Sequence, residues 1–317
     1  MGKFYQLDGK QLQQQYKHHI SDYPRWEQRE HASEWMSFEQ NMGTHLSIDE
    51  TALSKDELYT VVTNKAAKGR KGSVVAMIKG TQAERIIEVL QRIPERLRKK
   101  VQEVTLDMAA NMNLIVKRCF PFAHRVIDRF HVQQLASEAV QEIRIKHRWE
   151  ALDQENEQIG RAKQLGQPYQ PEILSNGDTV KQLLARSRYL LFKHRSTWTP
   201  VQKTRAELMF ERYPRLKQAY DLSNRLADVF RLCTCKEQAF KKLALWYNDV
   251  EASGIESFRT VSKSIQNHYL DILNFFNNRS TNASAESFNA KIKAFRASAR
   301  GVRDIKFFLF RLSKIYA

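Results

Sequence analysis

Three acidic residues stand in surroundings that make an acid conspicuous. Asp49 lies inside the short apolar run LSIDET, and Asp107 closes the run VTLDM. At the two-residue period of a strand, Leu46 and Ile48 take one face, while Ser47, Asp49 and Thr51 take the other. Val104 and Leu106 take the core side in the same way, and Glu103, Thr105 and Asp107 share the opposite face. Two carboxylates brought side by side repel, and one pKa rises unless a cation lies between them. Hard divalent cations with oxygen ligands suit such a pair, and magnesium is the expected one, in two ions, with manganese as a substitute. Two ions roughly 3.5–4 Å apart can activate the attacking oxygen and stabilise the leaving oxygen of a phosphodiester. That clamp needs a third carboxylate, and Glu286, early in the helical run STNASAESFNAKIKAF, is the candidate.

Each acid also has a purely structural reading. Asp107 can cap the helix that follows it. Glu286 falls in a first helical turn, where the dipole favours any acid. Asp49 resists such an account, because an acid inside a short apolar strand costs stability unless it is paired. Taken together the three fit one metal-assisted chemistry.

The elements that must position them follow from the pattern along the chain. Residues 1–44 read as a short helical or irregular lead-in. HLSIDET, LYTVVTN and SVVAMIKG are β-rich runs, and KAAKGRKG between the last two reads as a basic hairpin loop. TQAERIIEVLQRI predicts an amphipathic helix with Thr81 as N-cap and Glu84 completing a capping box, and Pro94 stops it. VQEVTLDM is a fourth strand, NMNLIVKRCF a helix, AHRVID a fifth strand, and a long helix runs from about Phe130 to Ile159. Three antiparallel strands followed by αβαβα crossovers is the α/β layout of the ribonuclease H-like mixed sheet, whose first and fourth strands are neighbours. From Glu172 to about Asn278 only helical signals remain, and two further helices, Ala283–Phe295 and DIKFFLFRLSKI, close the chain. The expected division is a lead-in (1–44), a first core part (45–160), an all-helical insertion (161–280) and the final core helices with a basic tail (281–317).

Charge narrows the partners. Fifty-two Lys and Arg against 35 Asp and Glu give a net +17, and so basic a chain gathers polyanions, nucleic acid above all. Residues 1–44 are near neutral, whereas residues 286–317 hold eight Lys or Arg and two acids. Lys65, Lys68, Arg70 and Lys71 of the hairpin loop and Lys291, Lys293, Arg296 and Arg300 of the tail are the expected DNA-binding residues. Cys119 stands alone and Cys233 and Cys235 form a C-x-C without the spacing of a zinc site, so buried or incidental thiols are expected. No apolar run approaches the roughly 20 residues of a membrane span, and MGKFYQLDGKQLQQQYKHH lacks a signal peptide's apolar segment. A cytoplasmic protein with no membrane partner is expected.

At these same residues the sequence resembles the ISL-three family of bacterial insertion-sequence transposases. The resemblance is carried by the strands with IDE and TLD, by VIDRFHVQQLASEAV, and by the closing TNASAESFNAKIKAF and ARG, and it spans about residue 44 to the C-terminus. It implies a DDE enzyme with a ribonuclease H-like core, a helical insertion before the last acid, and the triad Asp49, Asp107 and Glu286. Lys293, two helical turns after Glu286, matches a cation that often follows the last acid, and either contacts phosphate or is a solvated surface lysine. Asp128 and His131 of the D-x-x-H in VIDRFH either support the site or contact DNA, or else form a helix cap with a packed imidazole. Family members usually carry a zinc segment and a helix-turn-helix before the core, which the 44 residues here do not resemble.

The leading expectation is magnesium-dependent cutting of transposon-end DNA and strand transfer to a target. A hydrolytic nuclease of the same fold, or a non-catalytic DNA-binding protein such as a decayed transposase, are the alternatives. Pairing of two ends needs additional surfaces, so a homodimer or higher oligomer on DNA is expected. Base-edge readout needs a helix or ribbon in the major groove, which points to a separate small DNA-recognition protein.

Overall fold

The computed structural model describes residues 8–54, 57–299 and 302–317. The chain divides into two compact units, one reaching to Asp128 and resuming at Arg279–Ala317, the other Arg129–Asn278. The first unit opens with α1 (Gly9–Gln15), β1 (Trp35–Ser37), β2 (His45–Ser54), β3 (Glu57–Asn64) and β4 (Val74–Lys79). It continues through α2 (Ala83–Gln91), α3 (Glu95–Arg98), β5 (Glu103–Leu106), α4 (Ala110–Cys119) and β6 (His124–Ile127). The second unit holds α5 (Arg129–Gln164), α6 (Val180–Arg186), α7 (Pro200–Arg212), α8 (Pro214–Leu232), α9 (Lys236–Ser253), α10 (Glu256–Asn267), α11 (Tyr269–Leu273) and α12 (Phe275–Asn278). The chain returns to the first unit in α13 (Ala283–Ser298) and α14 (Ile305–Tyr316).

Among the described residues the first unit forms one six-stranded mixed sheet in the order β1-β4-β3-β2-β5-β6. β2, β3 and β4 make an antiparallel meander with β1 added at its edge. The chain then crosses through α2 to lay β5 parallel to β2, and through α4 to lay β6 parallel to β5, as parallel pairing requires. Both faces are covered. Leu46, Ile48, Val104 and Leu106 pack with Ile86 and Leu90 of α2 and Ile115 and Val116 of α4. Leu53, Val61 and Met77 pack with Phe288 and Ile292 of α13 and with Phe308, Leu309 and Leu312 of α14. Burial on both sides explains why all four residues of β5 are buried.

The second face is not wholly apolar. Ser47 pairs with Thr63 on one side and Thr105 on the other, and all three are buried. The Lys65 ammonium donates to Thr105 Oγ1 at 2.7 Å and to Glu103 Oε1 at 3.2 Å. A carboxylate as buried as that of Glu103 needs such a cation.

Three expectations change. The segment before residue 45 is part of the first unit, because β1 extends the sheet and Met36 and Phe38 enter its core. The long helix belongs wholly to the second unit, so the division falls at 128/129 and 278/279 rather than at 160 and 280. Thr81 does not cap α2: the helix begins at Ala83 with Gln82 as N-cap and no side-chain cap bond.

The second unit is helical throughout, with one isolated bridge between Ile173 and Thr179 among its described residues. α5 packs on α6, α8 and α10, and Trp246 of α9 is buried with its indole N–H donating to Leu222 O at 2.9 Å. Among the described residues no helix is long and apolar enough to cross a membrane. Asp178 is buried between the guanidiniums of Arg186 and Arg205. Burial pushes its carboxyl up, but the hydrogen bonds and charges of the two arginines outweigh burial and hold it below the ordinary carboxylate range. A carboxyl lowered by folding contributes stability above about pH 4, and that contribution is lost as pH falls through the folded value. Asp178→Asn is therefore expected to lower stability at pH 7 by about 2 kcal/mol, below the 3–5 of a fully buried pair because the Arg186 side chain is 55% exposed. Urea titrations of the two proteins should converge below pH 4.

Candidate active site

The parallel register of β2 and β5 brings the two aspartates together. Leu46 pairs with Val104 and Ser47 with Thr105. The same register carried two residues further sets Asp49 opposite Asp107, which directly follows the last residue of β5. Asp49 Oδ1 accepts the Glu50 N–H at 2.8 Å, and the Asp107 carboxylate accepts the Met108 N–H. Asp107 does not cap the following helix, whose N-cap is Ala109 without a side-chain bond.

Glu50 joins these two acids. Burial, then the Asp107 charge, then that of Asp49, push its carboxyl above the usual range. The sequence reading did not single out Glu50, which at a strand's two-residue period falls on the face opposite Asp49.

The third acid rides on α13. Phe288 and Ile292 anchor this helix in the core, and Glu286 sits exposed in its first turn. One turn on, the Asn289 side chain donates to Asp49 Oδ2 at 2.8 Å and to Glu50 O at 3.3 Å. The helix that carries Glu286 is thus tied to the strand that carries Asp49 and Glu50. Asn289 was not foreseen, although it lies three residues after Glu286 and so on the same helix face.

Asp128 fixes where that helix starts. It is 2% exposed, and its carboxylate accepts the backbone N–H of Asn282 at 2.9 Å. Asn282 is the fully buried N-cap of α13, and its carbonyl accepts the Glu286 N–H at 2.9 Å. Asp128 thus joins the end of β6 to the beginning of α13. His131 belongs to α5 in the other unit.

The donor set fits a hard divalent cation in kind. Asp49, Asp107 and Glu50 offer only oxygen, and the mutual repulsion that raises Glu50 is the kind a cation relieves. Among the described residues no three His, Cys, Asp or Glu side chains close around a common point. The strands bring the two aspartates together, while Glu286 stands on the adjoining helix.

The expected DNA-binding cations separate into two groups. Lys65 turns inward to Glu103 and Thr105, because that buried carboxylate draws it. Lys291 donates to Gly69 O at 2.7 Å and latches the hairpin loop onto α13. Gly69 suits that place for two reasons: its φ is +69°, and a Cβ there would lie 2.8 Å from the Lys291 ammonium. Lys68, Arg70, Lys71 and Lys293 are exposed and Arg296 is half-buried, and Arg300 lies outside the described residues. Replacing Asp128 by Ala should cost about 2 kcal/mol, within the 1.5–3 of a hydrogen bond to a charged group. Hydrogen exchange should then show the Asn282 amide losing its protection before the rest of α13.

Residues 46–312 match the transposase family of the DDE, ISL-three type. The transposase for insertion sequence element IS1001 of Bordetella parapertussis is 24% identical over 272 residues, which cover 84% of this chain and 60% of that protein. The chain therefore spans less than two thirds of the length of that curated relative. No solved structure matches. With the match covering most of the chain, and the acids set out on paired strands and an adjoining helix, the chain belongs to the ISL-three family of DDE transposases.

Proposed function

We propose that the chain cuts DNA at the ends of a mobile element and joins the freed ends to target DNA, with magnesium as its cofactor. The observation that carries this reading is the parallel register that levels Asp49 with Asp107, with Asn289 tying Asp49 to the helix of Glu286. The strand order also supports it. From β2 to β6, five strands follow the order third-second-first-fourth-fifth with the second antiparallel, as in a ribonuclease H-like sheet, and β1 adds a sixth at the edge.

In this reading Asp49, Asp107 and Glu286 would hold two magnesium ions, with manganese as a substitute, and Glu50 would add negative charge beside them. The cation supplies Lewis-acid polarisation of the phosphate and lowers the pKa of the nucleophile. The chain's own groups orient and grip. Asn289 fixes one oxygen of Asp49, and Asp128 fixes the first turn of α13. Lys68, Arg70 and Lys71 present their charges to the DNA backbone from a loop latched by Lys291. Water and then the new 3′-hydroxyl attack phosphorus, so each step breaks one P–O bond and forms another without a covalent protein–DNA intermediate.

A strand-transfer assay with element-end DNA in magnesium tests the reading: joined products support it, cutting alone makes the chain a hydrolytic nuclease, and neither product leaves a DNA-binding protein. Asp49→Asn, Asp107→Asn and Glu286→Gln should each abolish cutting while far-ultraviolet dichroism stays unchanged. A variant that cuts like the parent removes that residue from the triad.

The loop gives a second expectation. Each phosphate neutralised contributes about −0.9 to the slope of log affinity against log salt. Replacing Lys68, Arg70 and Lys71 together by Ala should make that slope shallower by up to about 2.7. An unchanged slope would mean that the loop does not touch DNA.

A further inference from the structure

The helical unit holds a buried guanidinium with no carboxylate partner among the described residues. Arg144 of α5 is 4% exposed. Its Nε donates to Gln141 Oε1 at 2.6 Å and its Nη1 to Leu184 O at 3.0 Å, both neutral acceptors. Gln141 in turn donates to Arg188 O at 3.1 Å, which fixes the backbone of residue 188 against α5. Arg148 follows Arg144 by one helical turn and is exposed, as is Arg188. Neither forms an ion pair among the described residues. The Arg188 guanidinium stands 5.4 Å from the ring centre of Tyr189, which is 71% exposed.

A solvated basic face does not account for this arrangement. Exposed arginines lie in water at little cost, but a guanidinium drawn out of water costs several kcal/mol unless an anion meets it. Burial, and then the like charges of Arg148 and Arg188, lower the pKa of Arg144. Three guanidiniums so gathered are matched by a ligand that brings its own negative charge. Arginine's planar fork suits the paired oxygens of a phosphodiester, and an exposed ring beside it suits a base or sugar.

We infer that Arg148 and Arg188, backed by the buried charge of Arg144, form a phosphate-backbone site for DNA on the helical unit, with Tyr189 at its rim. This rests on the reading of the chain as a DNA-processing enzyme and adds a grip away from the acidic residues. The site carries no information about base sequence, since phosphate contacts position a duplex without reading it.

The test is binding of the full chain to a labelled duplex of random sequence in chelator, at several salt concentrations. R148A/R188A removes the two exposed guanidiniums and leaves the buried one, so its melting temperature should match the parent's. Its slope of log affinity against log salt should be shallower by about 1.8, at about 0.9 per phosphate. K241A/K242A, an equal loss of exposed charge on α9, should leave the slope unchanged. An unchanged slope in R148A/R188A overturns the inference, as does an equal change in the control. If the double variant melts early, R188A alone decides, with an expected change of about 0.9. A parent chain that does not bind duplex at all overturns the DNA reading itself, whereas parental binding with an unaltered variant overturns only this site.

Discussion

The pairing of β2 with β5 decides the geometry of the acidic residues. Their parallel register joins His45 to Glu103, Leu46 to Val104 and Ser47 to Thr105, and everything at the C-terminal end of the two strands follows from it. A slip of one residue would turn every side chain of a strand to the other face. The register is locked from both sides: Leu46, Ile48, Val104 and Leu106 fill the core under α2 and α4, while Lys65 bridges from β3's end to Glu103 and Thr105. Burial of four aliphatic side chains, at roughly 1.5–3 kcal/mol each, outweighs the repulsion between carboxylates at the strand ends. The sheet can therefore hold like charges together before any cation arrives.

The helix α13 depends on that sheet in turn. Asp128 holds its N-cap Asn282, Phe288 and Ile292 hold its middle, and Lys291 reaches from it to the hairpin loop. Asn289 reaches from it to Asp49. One rigid rod thus couples an acid of the strand, an acid of its own first turn and the basic loop. A rotation of the helix about its axis would disturb all three at once, which is why the two buried anchors matter as much as the polar contacts.

Much of the sheet was legible in the sequence, because β2, β3, β4, β5 and β6 are runs of apolar and β-branched residues bounded by loops. β1 was not, since Trp35-Met36-Ser37 is too short to show a period, and only tertiary pairing with β4 makes it a strand. Thr81 misled because a capping box is a local pattern, and the helix started two residues later. The boundary between units was hidden for a different reason. α5 runs unbroken from Arg129 past residue 160, and periodicity reveals that a helix has an apolar face without revealing which unit covers it. The partners of Asp49 and Asp128 were equally hidden: Asn289 is 240 residues from Asp49 and the Asn282 N–H is 154 from Asp128. Such contacts leave no local signature.

Under the proposed function, net charge alone does not say which cations would meet DNA. The sequence presents 52 Lys and Arg, and a reading by clusters assigns Lys65 and Lys291 to phosphate on the same footing as Lys68 or Arg70. The structure orders them by what already surrounds each charge. Lys65 has a carboxylate and a hydroxyl, and Lys291 has a carbonyl, so using either for phosphate would first break a bond that positions the loop. Arg144 is a third case: like Lys291 it is held by neutral acceptors, so its charge backs the exposed Arg148 and Arg188 without itself meeting phosphate. It would not be picked from a count of surface charge, because it is buried, and yet its acceptors are neutral and its charged neighbours are cations. A cation contributes to binding a polyanion in proportion to the charge left uncompensated by the protein itself. By that criterion the exposed loop residues and the arginines beside α5 stand ahead of the lysines that hold the fold together.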